Sequence, residues 1–170
     1  MHERHLHLAH IGMLVVLVVL LAAAVSAGLS PPPCPSAGGN PGAEASVAAA
    51  ASLRAQGSSD AAIECLRRGV HLRPSWPAAH NNLASALSSV GDAAAAERAY
   101  QSAISLALAQ RGKARDEDGY AVDTRQNGAA LSAARINLSG MLQGRGQYGE
   151  ALRLVQAAAE AEEPPSATTW

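Results

Sequence analysis

The stretch 77–110, PAAHNNLASALSSVGDAAAAERAYQSAISLALAQ, decides the fold, because the residues before it repeat its pattern at a spacing of 34. With residues 43–76 set above it, Ala50 falls over Ala84, Leu53 over Leu87, Gly57 over Gly91, Ala62 over Ala96, Leu66 over Tyr100 and Pro74 over Leu108. A third copy at 132–165 carries Leu138, Ser139, Leu142, Gly146, Ala151, Val155 and Ala158 at equivalent positions. A fixed period of this length marks an array of stacked units, none of which can bury its apolar face alone. Such an array offers a binding surface more naturally than a reaction centre.

Each unit reads as a helix, a Gly-centred turn and a second helix. A small residue in the first helix (Ala50, Ala84, Ser139) lets its partner approach closely, and Ala62, Ala96 and Ala151 fill the reciprocal positions. Gly57, Gly91 and Gly146 end the first helix where a left-handed conformation is least costly. Ser58 or Asp92, one residue on, is placed to cap the second. The chain has no Phe, two Trp and three Tyr, so the aromatic and β-branched clusters of strands are missing beyond the N-terminal segment. The fold class expected is all-α. An alanine-rich core buries little area per residue, which at about 25 cal/mol per Å² leaves a thin stability margin.

These residues resemble the tetratricopeptide repeat. Leu83, Ala84, Leu87, Ala96, Tyr100 and Ala103 of the middle copy match that family's signature, while His80 stands where Trp is usual and Leu108 where Pro is usual. Ser46, Ala49 and Gly69 depart from the pattern in the first copy, Arg135 and Val155 in the third. The resemblance covers about two-thirds of the chain. It implies a right-handed superhelix of about three repeats within 43–170, with an insertion at 111–131 and the first helix of each pair lining a concave groove. In that register Val47, Ala51 and Arg54 face the groove, followed by Asn81, Asn82, Ser85 and Ser88, then Ile136, Asn137 and Gln143. Asn82 and Asn137 share a repeat position at which related domains present amides to the backbone of an extended peptide. An amide carries both donor and acceptor, so it can satisfy a peptide unit without demanding one side chain. The peptide-groove set expected is Arg54, Asn81, Asn82, Ser85 and Asn137. Clamping a C-terminal carboxylate takes several converging cations, and here Arg54 stands alone.

Residues 11–29, IGMLVVLVVLLAAAVSAGL, form an apolar or small run, and no Asp, Glu, Lys or Arg occurs between Arg4 and Glu44. At about 1.5 Å per residue the run reaches roughly 28 Å, enough for a hydrocarbon core. It reads as a signal anchor, or as a signal peptide cut after Ala27 behind the small residues Val25-Ser26-Ala27. The charge bias of the flanks puts the first residues in the cytosol and the repeats across the membrane. His2, His5, His7 and His10 read as a polar leader and not as a metal site. Residues 30–42 are a Pro/Gly linker. Cys34 lies within it, available for a bridge to Cys34 of a second chain, and Cys65 reads as a small core residue.

The insertion 111–131 resembles lengthened elements of kinesin-light-chain-like repeats. It reads as a helix running past Gln110, a solvated loop at 116–119 and an early start to the next helix, in preference to a charged protrusion used for contact. The sequon Asn137-Leu138-Ser139 falls inside a helix and reads as coincidence. The last helix carries Leu152, Leu154 and Val155 with no capping helix after it, so an apolar strip suited to self-association or a partner is expected there.

No catalytic constellation, cofactor motif or metal-ligand spacing is legible, and a net charge of −1 without a basic patch speaks against nucleic acid. The sequence therefore reads as a membrane-tethered or secretory module for protein–protein contact through a peptide groove, and not as an enzyme. The alternative is the repeat portion of a protein glycosyltransferase without its catalytic domain. The order of apolar segment, linker and repeats resembles transmembrane tetratricopeptide O-mannosyltransferases, and HNNL at 80–83 resembles the O-GlcNAc transferase family.

Overall fold

The computed structural model describes residue 34 and residues 38–162. The apolar run 11–29 and the final residues lie outside the described part. Among the described residues there are six helices: α1 (Gly39–Ala55), α2 (Ser59–Leu72), α3 (Pro77–Ser89), α4 (Ala93–Ala109), α5 (Thr124–Gly144) and α6 (Tyr148–Glu162). No strand is present among them, only an isolated antiparallel bridge between Arg115 and Ala121. No described helix is long and apolar enough to cross a membrane.

The helices pair as three hairpins, α1–α2, α3–α4 and α5–α6, and each hairpin packs against the next. The three hairpin turns are closed in the same way. Gly57, Gly91 and Gly146 adopt φ of 78°, 85° and 77°. The following amides, of Ser58, Asp92 and Gln147, reach back five residues to the carbonyls of Leu53, Leu87 and Leu142 at 2.9, 3.0 and 2.9 Å. The glycine amides donate to Arg54, Ser88 and Gln143 at 3.0, 3.1 and 3.0 Å. This double closure satisfies carbonyls that the end of a helix leaves open, and the left-handed residue it needs is why glycine recurs. Asp92 caps α4 through the Ala95 amide, whereas the Ser58 side chain makes no capping bond.

The core is built mostly of alanine and leucine. Leu53, Leu66, Leu87, Leu138 and Leu142 pack with Ala50, Ala62, Ala84, Ala96, Ala103, Ala134 and Ala151, all nearly or fully excluded from solvent. Two departures from the family pattern have a packing reason. A Cβ built on Gly69 would stand 3.1 Å from Val47 Cγ2, so glycine is what allows α1 to lie this close to α2. The position usually held by Trp is Ser46, His80 and Arg135 in the three units. His80 Nε2 lies 2.8 Å from the Pro74 carbonyl and Arg135 donates to the Ala157 carbonyl at 2.7 Å. Burial pushes the His80 imidazole below its usual value, against the opposing effect of the Pro74 bond.

Three expectations are corrected. First, α1 begins at Gly39, so the helix starts inside the stretch read as linker, with Pro41 in its first turn where a missing N–H costs nothing. Second, Cys34 is not left for a second chain: it forms a disulfide with Cys65, with Cα atoms 5.3 Å apart. Cys65 is indeed buried in the core, but as half of a bond that ties the chain ahead of α1 to α2.

Third, the insertion does not extend α4, and its 116–119 loop is only partly solvated, with Asp116 buried and Glu117, Asp118 and Gly119 exposed. The early start of the next helix is present at Thr124. α4 stops at Ala109, and the chain turns into a small hairpin held by Val122 N–H to Ala114 and Asp116 N–H to Tyr120, at 3.0 and 2.8 Å. The hairpin folds back onto the α2–α3 connection. Arg73 donates to Asp116 Oδ2 from Nη2 at 2.7 Å and from Nε at 3.2 Å, with the two side chains only 9% and 1% exposed. The guanidinium also sits 4.8 Å from the Tyr120 ring centre and 5.4 Å from that of Trp76. Asp118 accepts from the Ser75 amide and hydroxyl at 2.8 and 2.7 Å, and Gln110 Nε2 donates to the Ser75 carbonyl. The loop reads as wholly solvated from sequence because its charges look like a surface run until their partners, forty-three residues away, are known.

Burial would raise the Asp116 carboxyl, but the bonds from Arg73 and the Tyr120 amide, with the Arg73 charge, reverse this and hold it below its ordinary value. Its contribution to stability is therefore complete above the unfolded value of 3.8 and fades as pH falls through the lower folded value. His80, also lowered, contributes fully above its unfolded value of 6.5 and loses that contribution on acidification below it. Denaturant titrations across pH check both: stability falls first below the His80 value and again below the Asp116 value, and His80→Gln flattens only the first step. At pH 7, Asp116→Asn removes the negative charge buried against Arg73 and lowers stability by about 3–5 kcal/mol. Removing the disulfide by Cys34→Ser costs about 3 kcal/mol through the loop it opens, read as a lower denaturation midpoint. Thiol titration of the unreduced denatured chain returns no free cysteine; two reactive thiols would contradict the assignment.

Candidate functional site

A cleft of about 420 Å³ opens between α1 and α3. Helix α1 contributes Glu44, Val47, Ala48, Ala50, Ala51 and Arg54 along one wall. The opposite wall comes from Trp76, just ahead of α3, and from Ala78 and Asn82 of α3, and Leu66 of α2 also lines it. Alanine at 48, 51 and 78 makes the cleft, since larger side chains there would fill it. Gln126 of α5 reaches the same cleft.

The polar groups are few, and Gln126 is held in place by Trp76. Gln126 Oε1 accepts from Trp76 Nε1 at 3.2 Å, which leaves the Gln126 amide N–H groups for another acceptor. Asn82 is half-buried on the cleft wall. Arg54 is exposed and makes no ion pair among the described residues, but its charge acts on Tyr100. Burial raises the Tyr100 phenol, opposed by the hydrogen bond with Ser85 and by the positive charge of Arg54. The resulting surface is an apolar trough with amides on its walls and two charged groups, Glu44 and the exposed Arg54, on the α1 side. That chemistry suits an extended chain segment, whose backbone needs donors and acceptors and whose side chains need apolar area.

The expected groove residues divide into three groups. Val47, Ala51, Arg54 and Asn82 share the cleft. Asn81 and Asn137 meet each other, Asn137 Nδ2 donating to Asn81 Oδ1 at 3.4 Å across α3 and α5. Ser85 is engaged with Tyr100, and Ser88, Ile136 and Gln143 are exposed outside the cleft. Asn82 and Asn137, equivalent in register, are thus not equivalent in surroundings.

Trp76 and Gln126 are cleft residues that sequence reasoning missed. Trp76 precedes α3 and its place in the register suggested only a connection. Gln126 lies in the insertion, outside the repeat register altogether. It reaches the cleft because α5 starts at Thr124, with Asp123 accepting from the Arg125 and Gln126 amides at 2.9 and 3.0 Å. The D-T-R-Q run was a legible capping signal.

At the far end of the array, the strip expected from Leu152, Leu154 and Val155 is present in altered form. Leu152 and Val155 are 58% and 40% exposed, and Tyr148 joins them at 69%. Leu154 instead packs against the core.

No protein-family model and no curated protein matches this chain. Among solved structures, the crystal structures described as "Crystal structure of MamA" and "Crystal structure of MamA protein" are similar at 20% identity. They cover 71% of this chain and 78% and 73% of their own, each with a TM-score of 0.36. The reading of three stacked hairpins rests on this chain's own turns and contacts, not on that likeness.

The cleft yields one stability test. Asn82→Ala and Arg54→Ala remove groups that carry no packing, so each changes the unfolding free energy by less than about 0.5 kcal/mol. A larger loss in thermal or denaturant melts would mean that these side chains serve the fold and not the cleft.

Proposed function

We propose that this protein is a tetratricopeptide-type interaction module that holds an extended segment of a partner protein in the α1–α3 cleft. The observation that carries this reading is the joint placement of Arg54, Asn82 and Gln126 around an alanine-lined trough. An extended peptide leaves one N–H and one C=O per residue to be satisfied, and the Asn82 and Gln126 amides offer both. The alanine lining admits short apolar side chains of the guest, and Trp76 gives one of them a flat apolar contact. Arg54 favours an acidic side chain toward the end of α1.

We further propose that the module works on the extracytoplasmic side of a membrane, tethered by its N-terminal segment. The apolar run 11–29 supports a tether, and the Cys34–Cys65 disulfide supports an oxidising compartment, where such bonds persist. The disulfide also fixes the chain just ahead of α1 against α2, so tension on a tether would fall on the bond and not on the first turn of α1.

Peptide selection tests the cleft. Segments selected from a displayed random library on the full-length protein should lose roughly tenfold or more in affinity with Asn82→Ala plus Gln126→Ala, about 1 kcal/mol for each lost hydrogen bond. Asn137→Ala should leave them bound. Equal loss from Asn137→Ala, or no loss from the double variant, would reject the cleft as the binding site. Sidedness is tested by protease protection of a C-terminal epitope on intact membranes: the epitope is protected in sealed vesicles of lumenal orientation, and digestion there would reject the topology.

A further inference from the structure

In the interior of the array each second helix presents an arc that the next hairpin covers. On α2 the arc is Ser59, Ile63, Leu66 and Val70, with Ile63 and Leu66 only 6% and 1% exposed. On α4 the equivalent arc includes Glu97 and Tyr100. Tyr100 is 3% exposed, and Glu97 is bonded by Arg145 from the turn of the following hairpin. On α6 the arc is Tyr148, Leu152, Val155 and Ala159, and all four are exposed. The surface that joins one hairpin to the next inside the array therefore recurs on α6, apolar and exposed among the described residues.

The arc has a further property that its interior counterparts lack. Its side chains shrink steadily along the helix, from Tyr to Leu to Val to Ala, at spacings of four, three and four residues. Those spacings keep them on one stripe of a 3.6-residue helix. If a second α6 lies antiparallel against the first, Tyr148 faces Ala159 and Leu152 faces Val155. Large then meets small at every level, which is what close packing of facing positions requires. A parallel pairing would set Tyr148 on Tyr148 and Ala159 on Ala159, crowded at one end and hollow at the other. The stripe is flanked by Ala151 and Ala158 on the core side and by Gly149 and Gln156 on the other, so no like charges meet across the seam.

We propose that two copies of this chain associate through an isologous, antiparallel α6–α6 contact centred between Leu152 and Val155. The seam extends roughly 16 Å along the helix, small against the ~1,600 Å² of a standard stable interface, so the dimer is weak and concentration-dependent. This inference is independent of the peptide cleft. The α6 stripe shares no residue with the cleft, and either site could fail without the other.

Sedimentation equilibrium of the full chain in neutrally buoyant detergent tests it. The wild type shows a monomer–dimer equilibrium that Leu152→Glu abolishes. Tyr148→Ala hollows the seam and Ala159→Tyr crowds it, so each alone weakens dimerisation roughly tenfold or more. The exchange of both, Y148A with A159Y, restores large-against-small pairing and returns the affinity to near the wild-type value. Unchanged melting of the monomer in all variants reports that these exposed positions leave the fold intact. The proposal is overturned if the wild type stays monomeric at every concentration or if a dimer survives Leu152→Glu. It is equally overturned if the chain grows into open-ended oligomers, as head-to-tail stacking would give, or if the double exchange is no better than the single changes.

Discussion

The ion pair between Arg73 and Asp116 is the constraint on which the rest of the molecule depends. It joins the connection between the first two hairpins to the connection between the second and third, two segments that would otherwise be loops. Burying two charges is costly, and the gain is recovered only when geometry is good and the remaining polar sites are filled. Here they are filled: Asp116 accepts from Arg73 and from the Tyr120 amide, and Tyr120 and Trp76 stack near the guanidinium. Asp118 and Gln110 satisfy the neighbouring Ser75 from the same side. Because the pair is buried and fully bonded, losing one partner costs far more than any surface salt bridge contributes.

The clasp matters because the hairpins themselves offer little. Alanine-to-alanine crossings allow close approach but bury few methyl groups, so angles between hairpins have a shallow energy minimum. A polar clasp with directional bonds fixes what such packing leaves loose. It also sets the cleft: with the 110–123 segment folded down, α5 begins early, and Gln126 comes to rest over Trp76. The binding surface is thus assembled by a segment outside the repeat pattern as much as by the repeats. The disulfide plays a comparable part at the other end, holding the entry of the chain against α2.

Local signals carried well from sequence to structure. Gly57, Gly91 and Gly146 announce their turns because a left-handed helix end leaves few alternatives, and Ala62, Ala96 and Ala151 announce close crossings because nothing larger fits. The register of the tetratricopeptide pattern that the chain resembles places Val47, Ala51, Arg54 and Asn82 together, and all four line the cleft. What could not be read depended on long-range partners. Asp116 and Asp118 sit in a charged run that looks solvated until Arg73 and Ser75 are brought alongside, and Cys34 looks unattached until α2 passes beneath it. Ser46, His80 and Arg135 break the pattern at one repeat position, yet two of them gain a backbone carbonyl only the tertiary fold supplies.

Native-state hydrogen exchange reads the clasp directly in the unaltered protein. The amides of Asp116, Tyr120 and Val122, together with Ser75, are bonded to the Tyr120 carbonyl, Asp116, Ala114 and Asp118. They should exchange only with the opening that releases the core helices, at a protection close to that of Leu87 or Leu138. Exchange at those four amides at the rate of an open loop, while the helices remain protected, would contradict the account.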